Sequence, residues 1–256
     1  MLDDSLLNEM IEIKVKSSLD ATYQPSLFYY AGENSPLLVG LHTWSFDRFN
    51  QVDRMLPFAR ENGFSLLLPE FRGANLSTNP EHQKACGSKY AVKDVLEATN
   101  YIKENYKIDS ANVFMLGLSG GGHMALLCSA KSPETFKAVG AFVPVCDLKS
   151  WALGSEHYRN HVLACCSNSE KEMIERSPSS YAKELSKVNL KIFHGKFDNI
   201  VPVCQSLELY KKILTEDKNS RVFLDIFDGG HEIDMTLASH WIISQYKKKS
   251  LEKVTG

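Results

Sequence analysis

Ser119 combines a potential nucleophile with a backbone pattern that could expose it. It lies in the stretch LGLSGGG, residues 116–122, with Gly117 two positions before it and Gly121 two positions after it. An apolar run precedes this stretch, and a helix-like run, GGHMALLCSAK, overlaps its end. A strand, a sharp turn and a helix are the context of the G-x-S-x-G nucleophile elbow, where tiny neighbours permit a sparsely allowed backbone conformation at the serine. The motif predicts that Ser119 is a nucleophile.

Two other roles for a glycine-rich turn stay open on the motif alone. The turn could contain an incidental serine, or it could cradle a phosphate at the start of a helix. The spacing, however, fits neither the G-x-G-x-x-G dinucleotide fingerprint nor the P-loop, which ends in Gly-Lys-Ser/Thr. The nucleophile is therefore the favoured interpretation.

A serine hydroxyl reacts at neutral pH only with a base in hydrogen-bond reach and a carboxylate that orients the base. In folds where such an elbow joins a strand to a helix, the catalytic residues follow one another along the chain in the order serine, acid, histidine. Asp198 ends an apolar run in HGKFDNIVP, and His231 follows the pair Gly229-Gly230. The two glycines let the backbone turn sharply and carry the imidazole inward. We predict a catalytic triad of Ser119, Asp198 and His231.

Other residues compete for the last two roles. Asp147 also follows an apolar run, VPVC, and is the alternative acid. Asp198 is favoured because its loop is short and already near the final strand. Among the other histidines, His194 lies within a predicted strand and is interpreted as a packed core residue, while His123 and His240 lie on predicted helices without a glycine hinge. Asp198 therefore remains the predicted acid and His231 the predicted base.

An acyl-transfer site also needs donors for the negative oxygen of the tetrahedral intermediate. The N–H of Gly120, immediately after the nucleophile, is one candidate. The second should come from the loop that follows the apolar run PLLVGLH, and there we select the N–H of Trp44. Simple packing of the indole is the alternative for Trp44.

The elements that must position these residues alternate along the chain. Six short apolar runs are predicted as strands: 36–42, 65–71, 112–119, 138–146, 191–198 and 221–228. Two further strands, near 11–18 and 26–31, are predicted as edge strands within residues 1–35. Continuous apolar strands are typical of a sheet that is buried on both faces.

Between the strands, residues of the predicted core recur at helical spacing. Two such sets are Val92, Val95, Thr99, Ile102 and Tyr106 in one segment and Ile233, Leu237 and Trp241 in another. Strands that alternate with helices predict an α/β fold with a mostly parallel sheet and helices on both faces. In such sheets ligands bind beyond the carboxyl ends of the strands, which is where Ser119 and Asp198 fall.

Composition bounds the class of protein. The chain has 256 residues with 43% hydrophobic content, enough for one sizeable core, so we expect a single domain. Its 29 basic and 31 acidic residues give a formal net charge of −2, which argues against a nucleic-acid-binding surface. The N-terminus lacks a signal-peptide pattern, and no apolar stretch is long enough to cross a membrane. We expect a cytoplasmic protein with reduced, mostly buried cysteines.

Seven stretches of the chain carry a family resemblance: PEFRG, ACGSKYAVKDV, VFMLGLSGGGHMALL, VPVCDLKSW, SPSSYAKEL, HGKFDNIVPV and GGHE. They occur in order and at ordinary spacing between Pro36 and Trp241. In these stretches the chain resembles the α/β-hydrolase superfamily, in particular the catalytic domain of the prolyl oligopeptidase family and its dienelactone-hydrolase-like relatives. The resemblance implies an α/β-hydrolase fold, with Ser119, Asp198 and His231 as the catalytic residues. We expect that the chemistry of these residues requires no cofactor.

Two features depart from the family pattern. Many relatives have a His-Gly pair after the third strand, whereas this chain has His42-Thr43, which bears on the shape of the loop that begins with Trp44. Larger members also carry a β-propeller that screens peptide substrates, and only residues 1–35 precede the resembling core here. We therefore expect no propeller and do not carry its peptide selectivity over.

Residues 147–190 form an insertion that we expect to lie over the strand ends as a partial helical cap. It contains WALGSEHYRNHVLACC, in which His157, His161 and Cys165 recur every four residues. A metal site is one interpretation of that spacing. Helical packing explains it as well and no second ligand cluster is evident, so we predict no metal. Trp151 in this insertion and His42 are the candidate residues of the substrate pocket.

The predicted function is a serine hydrolase that cleaves a carboxylic ester through a covalent acyl-enzyme. A serine peptidase or amidase of prolyl oligopeptidase type is the alternative within the same chemistry. A non-catalytic α/β-hydrolase scaffold is less favoured, because a degenerate scaffold usually lacks a triad member and all three are present here. The expected partner is a small ester or a short peptide, without nucleic acid or membrane, and the oligomeric state is open.

Overall fold

The computed structural model describes residues 4–252, with side chains described for residues 5–246. Within this range eight strands form one sheet in the order β1-β2-β4-β3-β5-β6-β7-β8. They are β1 (Ile11–Lys16), β2 (Tyr23–Tyr29), β3 (Leu37–Leu41), β4 (Ser65–Pro69), β5 (Val113–Leu118), β6 (Ala138–Phe142), β7 (Leu190–Gly195) and β8 (Val222–Phe227). β2 runs antiparallel to β1 and β4, and all other neighbours are parallel. The prediction of two edge strands is therefore wrong for β2, which lies between β1 and β4.

Ten α-helices lie within the described range. They are α1 (Asp4–Leu7), α2 (Val52–Asn62), α3 (Lys89–Asn105), α4 (Gly120–Lys131), α5 (Leu148–Gly154), α6 (Glu156–Cys165), α7 (Glu170–Glu175), α8 (Ala182–Leu185), α9 (Cys204–Glu216) and α10 (Met235–Glu252). Helices α2 to α9 fall between parallel strands, α1 precedes β1 and α10 follows β8. Helices α5 to α8 all lie between β6 and β7, in residues 147–190, which we call the cap segment. That this segment shields the site stays a prediction. Across the described range, no helix is long and apolar enough to span a membrane.

Helices cover both faces of the sheet, as the continuous apolar runs predict. Every residue of β3, β4, β5 and β6 is buried. One hydrophobic cluster packs α3, α4 and α9 against one face, and a second packs α2 and α10 against the other. Along β3, Leu37 and Val39 belong to the first cluster and Leu38 to the second, which is the alternation of a strand buried on both sides. The predicted α/β fold, with a mostly parallel sheet and helices on both faces, is confirmed.

The strands and helices are somewhat shorter than the patterns that predict them. β6 ends at Phe142 although its apolar run continues, because Val143 adopts a φ of 41° and Pro144 has no N–H for the sheet ladder. Tyr106 lies just beyond α3, and Ile233 precedes α10. Both residues therefore fall outside the helices whose faces they were expected to extend.

Arg72 joins three separate segments in a buried cluster of charges. Its side chain is fully buried, and its Nε donates to Asp94 Oδ2 of α3 at 2.5 Å. The same guanidinium donates to Asp20 Oδ2 at 2.8 Å and to Ser17 Oγ at 3.1 Å. The loop that follows β4 is thus fastened to α3 and to the turn between β1 and β2.

Replacing Arg72 by alanine should lower the free energy of unfolding by about 3–5 kcal/mol, because the Asp94 carboxylate would stay buried without its partner. Arg60→Ala is the matched control, since Arg60 pairs with Glu9 at the surface and such a pair contributes about 1 kcal/mol or less. Urea unfolding followed by far-UV circular dichroism measures both values. Equal losses in the two variants would contradict the role given to Arg72.

Candidate active site

Ser119 lies at the tight turn between β5 and α4. Its backbone has a φ of 54° and a ψ of −115°, a region that residues with a side chain rarely occupy. A Cβ on Gly117 would lie 2.1 Å from the carbonyl oxygen of Gly121, so the helix can begin this close to the strand only with glycine there. The N–H of Ser119 donates to the carbonyl of Phe142 at 2.8 Å. Backbone contacts to β5 and β6 therefore hold the strained turn.

Two main-chain N–H groups lie beside Ser119, and neither has an acceptor among the described residues. They belong to Gly120 and Trp44, and a Cβ on Gly120 would lie only 2.6 Å from the nitrogen of Trp44. The Trp44 loop is held by its own carbonyl, which accepts from the N–H of Asn75 at 2.7 Å. Two preorganised donors at this place can stabilise an oxyanion on a carbonyl group that Ser119 attacks.

His231 and Asp198 form a hydrogen-bonded pair beyond the ends of β8 and β7. The distance from His231 Nδ1 to Asp198 Oδ2 is 2.7 Å, and the carboxylate is buried. The other carboxylate oxygen, Oδ1, accepts from the N–H groups of Ile200 and Val201, both at 2.9 Å. These bonds keep the carboxylate turned toward the imidazole.

His194, on β7, holds the same loop from inside the fold. Its Nε2 donates to the carbonyl of Val201 at 2.8 Å and lies 3.4 Å from Asp198 Oδ2. Burial alone would raise the pKa of Asp198, but the hydrogen bonds from His194 and His231 outweigh burial and hold that pKa well below its ordinary value. Asp198 therefore stays an anion, which can orient the imidazole and stabilise its charged form.

A close backbone contact brings His231 to Asp198. β7 ends at Gly195, where a Cβ would lie 2.0 Å from the carbonyl oxygen of Gly230. The close approach at this glycine and the polar role of His194 were not predicted from the sequence. The available signal is a histidine-glycine pair at the end of an otherwise apolar run, just before the acid.

The Ser119 hydroxyl has no hydrogen-bond partner within the described side chains. Because Nδ1 of His231 donates to Asp198, its Nε2 is the atom that can accept a proton. Catalytic hydrogen bonds are often long or absent in unliganded enzymes and tighten when substrate binds. Of the three predicted catalytic residues, the structure thus bonds Asp198 to His231 and leaves the contact with Ser119 unmade.

Asp147, the alternative acid, accepts hydrogen bonds from residues of the cap segment. Its carboxylate accepts from the N–H of Ser150 at 2.9 Å as the N-cap of α5, and from the hydroxyl of Ser179 at 3.1 Å. Both of its oxygens are thus engaged within the cap segment, where an N-cap of this kind stabilises a helix by roughly 0.5–2 kcal/mol. This arrangement favours Asp198 as the acid.

The aromatic rings of Trp44, Trp151 and Tyr158 pack together where the Trp44 loop meets the cap segment. The rings of Trp44 and Trp151 meet edge to face with centroids 4.9 Å apart, and Trp151 stacks on Tyr158 at 4.7 Å. Trp151 is buried, and its Nε1 donates at 2.9 Å to the carbonyl of Ile200, in the loop that carries Asp198. Trp151 also lines a cleft of about 540 Å³. Its role in a substrate pocket stays a prediction.

His42 is not placed to line a pocket, contrary to the prediction. Its ring is 2% exposed and stacks on Phe71 with centroids 3.8 Å apart. Nδ1 lies 3.0 Å from the carbonyl of Thr43, and Nε2 lies 2.7 Å from the carbonyl of Glu70. Burial lowers the pKa of His42 below its ordinary value. The residue instead fastens the start of the Trp44 loop to the chain that follows β4.

His157, His161 and Cys165 do not converge on one point. The N–H and the hydroxyl of Ser77 both lie 3.1 Å from His161 Nδ1, while Cys165 is buried in a hydrophobic cluster with Trp44. In the part of the chain that the structure describes, no group of three His, Cys, Asp or Glu residues is arranged to hold a metal ion. His161 is thus engaged with Ser77 and Cys165 with the hydrophobic cluster, whereas His157 is exposed.

Comparison with known proteins identifies relatives over most of the chain. A model of the prolyl oligopeptidase family matches residues 50–250. Acylamino-acid-releasing enzyme 2 of Oryza sativa subsp. japonica is 26% identical over 234 residues, which cover 86% of this chain and 29% of that enzyme. The chain therefore spans about three-tenths of the length of this curated relative.

Two solved structures share the fold. A puromycin-hydrolysing peptidase of Mycobacterium tuberculosis has a TM-score of 0.76 at 16% identity, and the match covers 93% of this chain and 39% of that one. An esterase of Pyrococcus furiosus has a TM-score of 0.71 at 15% identity, and the match covers 96% of this chain and 92% of that one. At these identities the likeness shows the α/β-hydrolase fold alone.

Asp198→Asn should lower kcat on the order of 10⁴-fold, because an asparagine amide would hold His231 in the wrong tautomer. Asp147→Asn keeps a residue that caps helices, so its kcat should stay within about twofold of wild type. Hydrolysis of p-nitrophenyl acetate measures both, with thermal unfolding as the check that each variant is folded. A large loss confined to Asp147→Asn would mean that Asp147 is the acid.

Proposed function

Because the chain belongs to the prolyl oligopeptidase family of serine hydrolases, we propose that it cleaves a carboxylic ester with a short acyl group. One observation carries the proposal: the strained turn of Ser119, two unpaired N–H groups and the Asp198–His231 pair all follow the carboxyl ends of parallel strands, along the same edge of the sheet. A strained backbone costs about 1–3 kcal/mol, and buried N–H groups without acceptors add to that cost. A catalytic role accounts for the strained turn and for the unpaired N–H groups, whereas packing alone accounts for neither.

In the proposed acylation step, His231 Nε2 removes the proton from the Ser119 hydroxyl as its oxygen attacks the ester carbonyl. The carbonyl oxygen becomes negative and accepts hydrogen bonds from the N–H groups of Gly120 and Trp44. The imidazolium then gives the same proton to the leaving alcohol as the carbon–oxygen bond breaks. The acyl group stays on Ser119 as an ester.

Deacylation repeats these steps with water. His231 takes a proton from the water molecule, whose oxygen attacks the acyl-enzyme, and returns that proton to Ser119 as the acid leaves. Asp198 stays ionised throughout, because its hydrogen bonds favour the charged form. It stabilises the imidazolium without taking its proton.

The rings of Trp44, Trp151 and Tyr158 support a short acyl group. They pack against one another on the cap side of the Trp44 loop, and the two tryptophans are only 3% exposed. A long alkyl chain on this side would have to displace an aromatic cluster, which costs the free energy of burying those rings. A formyl, acetyl or propionyl group would not.

An ester is the favoured substrate because its alkoxide or phenolate leaves readily. An amide nitrogen must be protonated by His231 while it is held in a defined pose. A second candidate is the release of acylated amino acids from peptides, since the rice relative is named for that activity. An acetyl group would suit both reactions, so the leaving group decides between them.

A fluorophosphonate probe tests the nucleophile, because it reacts with activated serines almost independently of their natural substrates. We expect stoichiometric labelling at Ser119, loss of labelling in Ser119→Ala and strongly reduced labelling in His231→Ala. Mass spectrometry of the labelled peptide locates the adduct. A well-folded wild-type protein that remains unlabelled would favour the non-catalytic scaffold.

A substrate panel tests the acyl and leaving groups. We expect measurable turnover of p-nitrophenyl acetate, weaker turnover of p-nitrophenyl laurate, and little cleavage of N-acetyl-alanine p-nitroanilide or of prolyl-peptide amides. All activity should vanish in Ser119→Ala. A kcat/KM for the acetylated amide above that of every ester would support the acylamino-acid-releasing candidate and contradict the ester proposal.

A further inference from the structure

His123 lies on α4 one turn after Ser119, and the proposed mechanism does not use it. Its N–H donates to the carbonyl of Ser119 at 2.8 Å. Its side chain is fully buried, and Nε2 lies 2.7 Å from the carbonyl oxygen of Arg176. Because a carbonyl only accepts, Nε2 carries the hydrogen and Nδ1 is an acceptor. Burial lowers the pKa of His123 to about 4, so the ring is neutral near pH 7.

Arg176 ties the cap segment to the body of the protein. Its guanidinium donates to the carbonyls of Ala85 and Gln83, which precede α3, and to the carbonyl of Cys165 at the end of α6. The carbonyl of the same residue accepts the hydrogen bond from His123. The helix that follows the nucleophile is therefore linked, at one residue, to the cap segment and to the loop before α3.

The ring of His123 also lies against Trp44, which supplies the second proposed oxyanion donor. The two ring centroids are 6.2 Å apart. The imidazole is confined by Gly87 as well, where a Cβ would lie 2.6 Å from His123 Cε1. Among the described residues, Trp44 Nε1 and His123 Nδ1 are both buried without a hydrogen-bond partner. One is a donor and the other an acceptor.

We propose that His123 is a positioning residue of the oxyanion hole, a role that rests on the proposed function. Its bond to Arg176 fixes the imidazole, the imidazole confines the indole of Trp44, and the indole keeps the Trp44 N–H against Gly120. Oxyanion donors stabilise the transition state more than the bound ester. A small displacement of the donor should therefore lower kcat and leave KM nearly unchanged.

The test replaces His123 by glutamine and by asparagine. Glutamine can place an N–H near the position of Nε2 and donate to Arg176, whereas asparagine is too short to do so. With p-nitrophenyl acetate, His123→Asn should lower kcat about tenfold with KM within about twofold of wild type. His123→Gln should keep kcat within about threefold of wild type. The rate of fluorophosphonate labelling should change in parallel with kcat.

Ser129→Ala is the matched control. Ser129 is buried on the same helix and donates to the carbonyl of Ala125 at 2.8 Å, so its loss should lower Tm while leaving kcat within about twofold. Wild-type kcat in a folded His123→Asn, or equal losses in the Gln and Asn variants, would overturn the positioning role. A wild-type protein that is not labelled at Ser119 would instead contradict the proposed function.

A further variant covers the case in which His123→Asn fails to fold. Glu172 Oε2 accepts from Arg176 Nη2 at 2.7 Å, and its side chain is 40% exposed, so Glu172→Gln loosens Arg176 without burying a charge. In that variant kcat should fall about threefold at unchanged KM. An unchanged kcat would overturn the proposal.

Discussion

The first turn of α4 packs against the end of β3 at a distance that leaves no room for a side chain. A Cβ on Gly120 would lie 2.6 Å from the Cα of Trp44, and one on Gly121 would lie 2.4 Å from the carbonyl oxygen of Leu41. This contact sets the turn at Ser119 and brings the two N–H groups together beside its hydroxyl. Productive catalytic geometry tolerates errors of only about 0.5 Å, so a methyl group at either glycine would disturb more than local packing.

Asp198 and His231, the proposed acid and base, meet through a second contact of the same kind, on the other side of Ser119 in the sheet. The end of β7 and the loop after β8 touch at Gly195 and Gly230, and this contact lets the imidazole of His231 reach Asp198. The carboxylate is already bonded by main-chain N–H groups before any substrate arrives. Such preorganisation stabilises charge without reorganisation during the reaction, which is where enzymes gain most.

Features that depend on local sequence are predictable here, and features that depend on distant partners are not. The apolar runs predict all the parallel strands, and the glycines around Ser119 predict its turn, because both signals lie within a few residues. His42 looks like a pocket residue in the sequence, yet it bonds to Glu70 and stacks on Phe71, which belong to a different strand connection. His194 likewise looks like a core residue, and only the folded loop shows its contact with the acid. Neither partner follows from spacing or periodicity.

The backbone of Ser119 occupies a region that glycine enters freely and other residues enter with strain. A glycine at position 119 would therefore relieve about 1–3 kcal/mol of strain while removing the hydroxyl. Under the proposed mechanism, the residue that carries the reaction also lowers the stability of the fold. In the proposed mechanism the strain at position 119 is therefore the cost of a hydroxyl that glycine could not supply.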